Sequence, residues 1–198
     1  MKILVIGATG TIGAAIVQQL GEKVEVITAS RSGGSVPVDI GDPNSVRHMF
    51  SELSNLDAVV CAVGVAAYAP LFKLSDADFE RGLHNKLMGQ VNLVRFGIDS
   101  IAPNGSITIT GGIASRQPFE SGGALISMCN AGLEGFVRAA SRELPRGIRL
   151  NVIAPGWVRE TLVKLKMDPI LGVPAMRVAE RYVEAIRGKM TGQVIDAI

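Results

Sequence analysis

Met1-Lys2-Ile3-Leu4-Val5-Ile6-Gly7-Ala8-Thr9-Gly10-Thr11-Ile12-Gly13 opens the chain with an apolar run that ends in three spaced glycines. Ile3 to Ile6 are all apolar and run straight into a glycine. A strand covered by helices on both faces has that pattern, because neither side of it meets water. Ile12, Ile16 and Leu20 then recur at helical spacing. A buried strand, a glycine-rich turn and an amphipathic helix therefore follow one another directly. Gly7 allows the tight turn, Gly10 lets the backbone approach a ligand, and Gly13 lets helix and strand pack closely. The helix N-terminus offers free N–H groups and the positive end of its dipole, which suits phosphate. At the head of a βαβ unit of about thirty residues, such a turn is expected to hold a dinucleotide through its pyrophosphate, with Thr9, Thr11 and Ile12 in the same cradle. An ordinary strand-to-helix turn is the plainer alternative.

Along the rest of the chain, short β-branched runs alternate with longer helical patterns. Ile3–Ile6, Val24–Ala29, Val36–Ile40, Asp57–Ala62, Ser106–Thr110, Leu150–Ala154 and Gln193–Ile195 read as strands. Asp42-Pro43 supplies an N-cap and an N1 proline for one helix. Ser75-Asp76-Ala77-Asp78 opens a long helix to about Ser100. Others are expected at Ser121–Leu144, stopped near Pro145, and at Ala175–Ile186. The pattern predicts an α/β chain: a doubly wound Rossmann fold with a seven-stranded, mainly parallel sheet and helices on both faces. No linker or repeat interrupts it, so one domain is expected over residues 1–198.

The end of the second strand selects the dinucleotide. A carboxylate there would bond a ribose 2′-hydroxyl and repel a 2′-phosphate; Ser30-Arg31-Ser32 instead gives a guanidinium between two hydroxyls. That set favours NADP(H) over NAD(H). Asp39 and Ile40, at the end of the third strand, are placed to flank the adenine.

Composition narrows the remaining classes. The chain has 198 residues, 47% hydrophobic and 19% charged, with net charge +2. From Gly135 onward there are 11 Lys/Arg against 6 Asp/Glu, which scattered arginines on solvated helix faces explain without nucleic acid. No run approaches the ~20 apolar residues of a membrane span. Cys61 and Cys129 lie in apolar stretches with no CxxC and no metal-ligand spacing to His48 or His84, so no metal is expected. Asn104-Gly105-Ser106 reads as a turn into a strand, and the chain as cytoplasmic.

With these motifs in place the sequence resembles the short-chain dehydrogenase/reductase family nearly end to end. Gly7–Gly13 has that family's spacing. Gly147-Ile148-Arg149-Leu150-Asn151-Val152-Ile153-Ala154-Pro155-Gly156-Trp157-Val158 is similar to its sixth-strand signature, whose Pro-Gly turn abuts the nicotinamide. The resemblance implies that Pro155, Gly156, Trp157 and Val158 border the nicotinamide. It also implies that Ala62-Val63-Gly64 lies beside the adenine ribose and that Thr110 belongs to the cofactor site. Helices Ser75–Ser100 and Ser121–Leu144 would carry a homodimer or homotetramer contact, with stripes Val91/Val94/Ile98 and Leu133/Phe136/Val137 as either interface or core. Arg159 to Pro174, with Lys164, Lys166 and Met167, would line the substrate pocket.

The resemblance breaks at the chemistry. The family uses Ser, Tyr and Lys, with an Asn on the preceding helix. Here the Ser position falls on Gly112, the Tyr position on Ile126 and the Lys position on Asn130, while Lys86 stands where the Asn belongs. Lys and Asn look exchanged, as in ketoreductase domains of modular polyketide synthases. Lys86 and Asn130 are therefore candidate catalytic residues, the alternative being a solvated helix lysine and a buried structural amide. Tyr68, in the loop after the fourth strand, is the candidate proton donor, with Ser115, Ser127 and a water on Lys86 as others. The expected activity is NADP(H)-dependent reduction of a small carbonyl or related unsaturated compound. The alternative is a non-catalytic NADP(H) sensor or structural subunit.

Overall fold

The computed structural model of the protein describes residues 1–198. Seven strands form one sheet in the order β3-β2-β1-β4-β5-β6-β7, with every pairing parallel. They are β1 (Lys2–Ile6), β2 (Glu25–Ser30), β3 (Val36–Pro37), β4 (Leu56–Cys61), β5 (Ile101–Thr110), β6 (Arg149–Pro155) and β7 (Val194–Ala197). Successive side chains of a strand point to opposite faces, and β1 shows the consequence. Its Ile3 and Val5 join a core layer with Ile16 and Leu20 of α1 (Thr11–Leu20) and Val178 and Tyr182 of α7 (Ala175–Arg187). Its Leu4 and Ile6 join the opposite layer, beneath α2 (Pro43–Ser51), α4 (Gly89–Gly97) and α5 (Ala124–Ala140). The sheet is doubly wound, as the alternating pattern predicts. Val91, Val94, Leu133 and Val137 are buried in this second layer, with Ile98 and Phe136 packed against it. Those stripes are core within one chain.

Local signals explain most boundaries. Asp42 caps α2, accepting from Asn44 N at 2.9 Å, with Pro43 in the first turn. Ser75 and Asp78 form a reciprocal capping box on α3 (Asp76–Gly82). The long helix expected after Ser75 is helical throughout but not uniform. A π turn, Leu83–Met88, separates α3 from α4. β3 stops after two residues, because Pro37 has no N–H and the Asp39 N–H is taken by Ser45 Oγ at 3.0 Å. α5 starts at Ala124 rather than Ser121, since Gly122 has φ +83°, outside helical space. Asn104 turns left-handed (φ 62°) where the ladder between β4 and β5 is interrupted, the turn expected at that tripeptide.

β1 pairs with β2 on one side and β4 on the other. The crossovers diverge there, which opens a crevice beyond the carboxyl ends of β1 and β4, the general ligand position in such sheets. No helix is long and apolar enough to cross a membrane.

Candidate active site

The glycine turn sits at that crevice. Gly7 has φ +84°, donates to Ala29 O at 2.8 Å and accepts from Gly10 N at 2.9 Å. A Cβ on Gly13 would lie 2.0 Å from the Gly7 carbonyl oxygen, and one on Gly7 would lie 3.0 Å from Val63 Cβ. The turn is therefore a cradle that side chains at these positions would fill. α1 begins without a side-chain cap and without an acidic residue in its first turn, so its N–H groups face the crevice unclaimed by side chains.

A groove of about 200 Å³ runs from the cradle toward β2 and β3. Of the residues the sequence singles out, Gly7, Thr9, Gly10, Ser30, Arg31, Ser32, Asp39, Ile40, Ala62 and Val63 line it. Arg31 is exposed and has no carboxylate partner. Ser30 Oγ donates to the Ser32 carbonyl, so the pair forms a small turn around that arginine. Asp39 accepts from Gly41 N at 2.9 Å, holding the groove's far edge. Sequence reasoning missed Ile6, Val38, Val65 and Asn85, which complete the lining. Asn85 Oδ1 accepts from Val65 N at 2.8 Å and pins the loop after β4. An amide next to Lys86 on an apolar helix was the available signal.

Lys86 lies on the π turn and is 8% exposed. Such turns insert one residue into a helix and often mark functional positions. The Lys86 ammonium has neither a carboxylate nor a hydrogen-bond partner within the chain, and burial holds its pKa below the ordinary lysine value. Cys61 and Cys129 are within electrostatic reach, but burial pushes the Cys61 thiol up to about 12 and raises Cys129 as well. Burial thus favours the neutral form of both thiols, and neither supplies the fixed negative charge a carboxylate would. Above the lysine stem lies Gly64, where a Cβ would meet Lys86 Cγ at 3.3 Å. Gln90, another buried amide the sequence did not flag, fixes the turn. Its Nε2 donates to Lys86 O at 3.1 Å and Thr110 O at 2.8 Å, and its Oε1 accepts from Thr110 N at 2.7 Å. The Thr110 hydroxyl points to the α7 face, donating to Cys61 O and bonded to the buried Tyr182 hydroxyl at 2.6 Å. Its proton is committed away from the groove.

Asn130, on α5, is 1% exposed, and its Oδ1 has no partner in the protein. It presses on Gly112, where a Cβ would lie 2.7 Å from Asn130 Nδ2 and 3.5 Å from Pro155 O. The amide thus occupies the space a serine at 112 would need. Gly112→Ser is expected to destabilise the fold by about 1–3 kcal/mol, as overpacking does. Adding Asn130→Ala should recover much of that loss in a denaturant melt, whereas strictly additive costs would show that the clash is not with Asn130.

The alternative hydroxyls are committed. Ser127 Oγ donates to Ala114 O at 2.7 Å. Ser115 Oγ donates to the buried Glu134 carboxylate, which also binds Arg116 and Arg138. Tyr68 remains: its side chain is exposed and stands edge-on to Phe119 (5.7 Å) and to Trp157 (6.0 Å), beside the Pro155–Gly156 turn. Phe119 stacks on Trp157 at 4.9 Å. The structure therefore brings Asn130, Gly112 and Pro155 together, and Tyr68 with Trp157.

This fold, cradle and strand-six turn define a class. The family model described as enoyl-(acyl carrier protein) reductase matches residues 7–173, and the chain belongs to the short-chain dehydrogenase/reductase family. Among similar proteins, the 3-oxoacyl-(acyl-carrier-protein) reductase FabG of Rickettsia conorii is 30% identical over 80% of this chain and 73% of its own length. The protein lin1944 of Listeria innocua is 40% identical, with a TM-score of 0.95 over the whole of both chains. A small-chain dehydrogenase solved in complex with NADPH is 28% identical, with a TM-score of 0.86 over 99% of this chain and 95% of its own.

Proposed function

We propose that the chain is an NADP(H)-dependent oxidoreductase that reduces a small carbonyl or related unsaturated compound with an altered catalytic set: Lys86, Asn130 and Tyr68. One observation carries this reading, a buried and unpaired ammonium held on a π turn in a family whose dinucleotide cradle is otherwise intact. Isolated buried charges are costly, and their perturbed titration marks functional sites.

The residues present fit a dinucleotide. The uncapped start of α1 with Gly7, Thr9, Gly10, Thr11, Ile12 and Gly13 would hold the pyrophosphate. Arg31, with Ser30 and Ser32, would take the 2′-phosphate, and Asp39 and Ile40 would flank the adenine. Ala62, Val63 and Gly64 would border the ribose, and Pro155 to Val158 the nicotinamide. When bound, the reduced cofactor supplies the hydride. Lys86 stabilises the developing oxyanion and relays a proton to it through water. Asn130 fixes the wall at Gly112 against Pro155. Tyr68, Phe119 and Trp157 cover the substrate side and exclude water, and the Tyr68 hydroxyl is the candidate proton donor on that side. The two buried thiols fit a reducing cytoplasm, and exposed Met88 and Met128 support a homodimer through the outer faces of the π turn and α5.

Purified protein with NADPH and a panel of aldehydes, ketones, conjugated enones and quinones should oxidise the cofactor. Cofactor binding without turnover for any acceptor would favour the sensor reading, which the missing hydroxyls at Gly112 and Ile126 support. Arg31→Asp is expected to weaken NADPH binding about 100-fold with NADH affinity kept, since a charge-assisted bond becomes a repulsion. An unchanged preference would mean that another residue reads the 2′-phosphate.

A further inference from the structure

Lys164 reaches from α6 (Arg159–Lys164) across the mouth of the glycine cradle. Its ammonium donates to Thr11 Oγ1 at 2.8 Å, a contact spanning 153 positions of sequence. Thr11 is the first residue of α1, whose N-cap Gly10 offers no side-chain acceptor and whose first turn has no carboxylate. Lys164 itself has no ion-pair partner. A lysine and the positive end of a helix thus meet with a single neutral hydroxyl oxygen between them. That arrangement is unfavourable alone, because helix N-termini favour anions and repel cations. It turns favourable once an anion enters between the two.

α6 is otherwise lightly held. Leu162 is its only buried residue, and Val163 and Leu165, on either side of Lys164, are exposed. Its backbone anchors run to its own following segment, with Arg159 N donating to Val173 O at 2.9 Å and Val173 N to Trp157 O at 2.8 Å. Glu160 accepts from Ala175 N at 2.9 Å, at the start of α7. The Lys164–Thr11 bond is the one hydrogen bond that ties this helix to the cradle.

We propose that Lys164 is a second cation of the dinucleotide site: it bonds the pyrophosphate held at the glycine cradle. The proposal rests on the dinucleotide reading above but assigns a residue and a moiety of its own. Arg31 reads the 2′-phosphate, which only NADPH carries. Lys164 reads the pyrophosphate, which NADPH, NADH and ADP-ribose share.

Calorimetric titration of the full chain with those ligands separates the two, with no turnover involved. Lys164→Met is expected to weaken all three by the same factor, about tenfold for a partly screened charge-assisted hydrogen bond. Lys164→Arg should retain affinity, and Lys189→Met, at an exposed lysine beyond α7, should change nothing. Amide exchange across 159–165 should slow when ADP-ribose binds the wild type and not when it saturates Lys164→Met. Unchanged affinity of Lys164→Met for all three, or an equal loss in Lys189→Met, would overturn the role of Lys164 while leaving the dinucleotide reading intact. A wild type that binds none of the three would overturn that reading and this proposal together.

Discussion

Replacing Lys86 by methionine is expected to stabilise the fold by about 1–3 kcal/mol and to reduce turnover about 100-fold or more. The two effects share one cause. The ammonium is buried without a partner, and burial favours the neutral form of the neighbouring thiols. Methionine keeps the packing of the stem under Gly64 and removes the desolvated charge. For a chain of this size the gain corresponds to roughly 2–4 °C in Tm per kcal/mol. The sign with pH follows from burial. Between the depressed pKa of Lys86 and the ordinary lysine value, the unfolded chain binds more protons than the folded one, so wild-type stability rises with pH across that window. Lys86→Met should flatten that rise. Turnover that depends on the ammonium should fall as pH climbs through the depressed pKa. A thermal melt showing Lys86→Met less stable than wild type would mean that the ammonium is solvated or paired.

Gly13→Ala is the second large effect, and it acts on the cradle. The added Cβ would lie 2.0 Å from Gly7 O, 2.6 Å from Gly7 C and 2.9 Å from Ala8 Cα. All three are backbone atoms of the turn itself, so no side chain can move aside. Separating α1 from β1 to make room would also disturb Ile16 and Leu20 against Ile3 and Val5. A loss of at least about 3 kcal/mol is expected, at the upper end of overpacking costs. Where the variant folds, dinucleotide affinity should fall steeply, because the free N–H groups of α1 no longer face the crevice. Gly135→Ala, on α5 with nothing within 4 Å of the added methyl, is the matched control and should be neutral or mildly stabilising. Equal melting temperatures for Gly13→Ala and wild type would show that the turn is not the tight cradle described.

The parts legible in the sequence were those set by local chemistry. The apolar run to Ile6, the glycine spacing and the caps at Asp42 and Ser75 each depend on a few adjacent residues, and each has its expected structure. The π turn was not legible, because the residues from Leu83 to Met88 keep a helical pattern and the extra residue is accommodated by distant packing. A Cβ at Gly82 would meet Leu125 at 3.1 Å, and one at Gly89 would meet Ile40 O at 2.7 Å. The short β3 needed the Ser45 hydroxyl from a helix not yet placed. At the site, Lys86 and Asn130 could be singled out by position, but the commitment of the Thr110, Ser115 and Ser127 protons could not. Those bonds run to Cys61, Glu134 and Ala114, partners that only the folded sheet brings near. Gln90 and Glu134 were visible only as polar residues among apolar neighbours, a signal that does not say what they bond.

The most direct test compares wild type and Lys86→Met at saturating NADPH with the best acceptor, measuring turnover and cofactor Kd on the same preparations. The proposed role of Lys86 requires steady NADPH oxidation by the wild type, and a variant that binds NADPH with unchanged Kd but oxidises it at least about 100-fold more slowly. Turnover by Lys86→Met at the wild-type rate would contradict it.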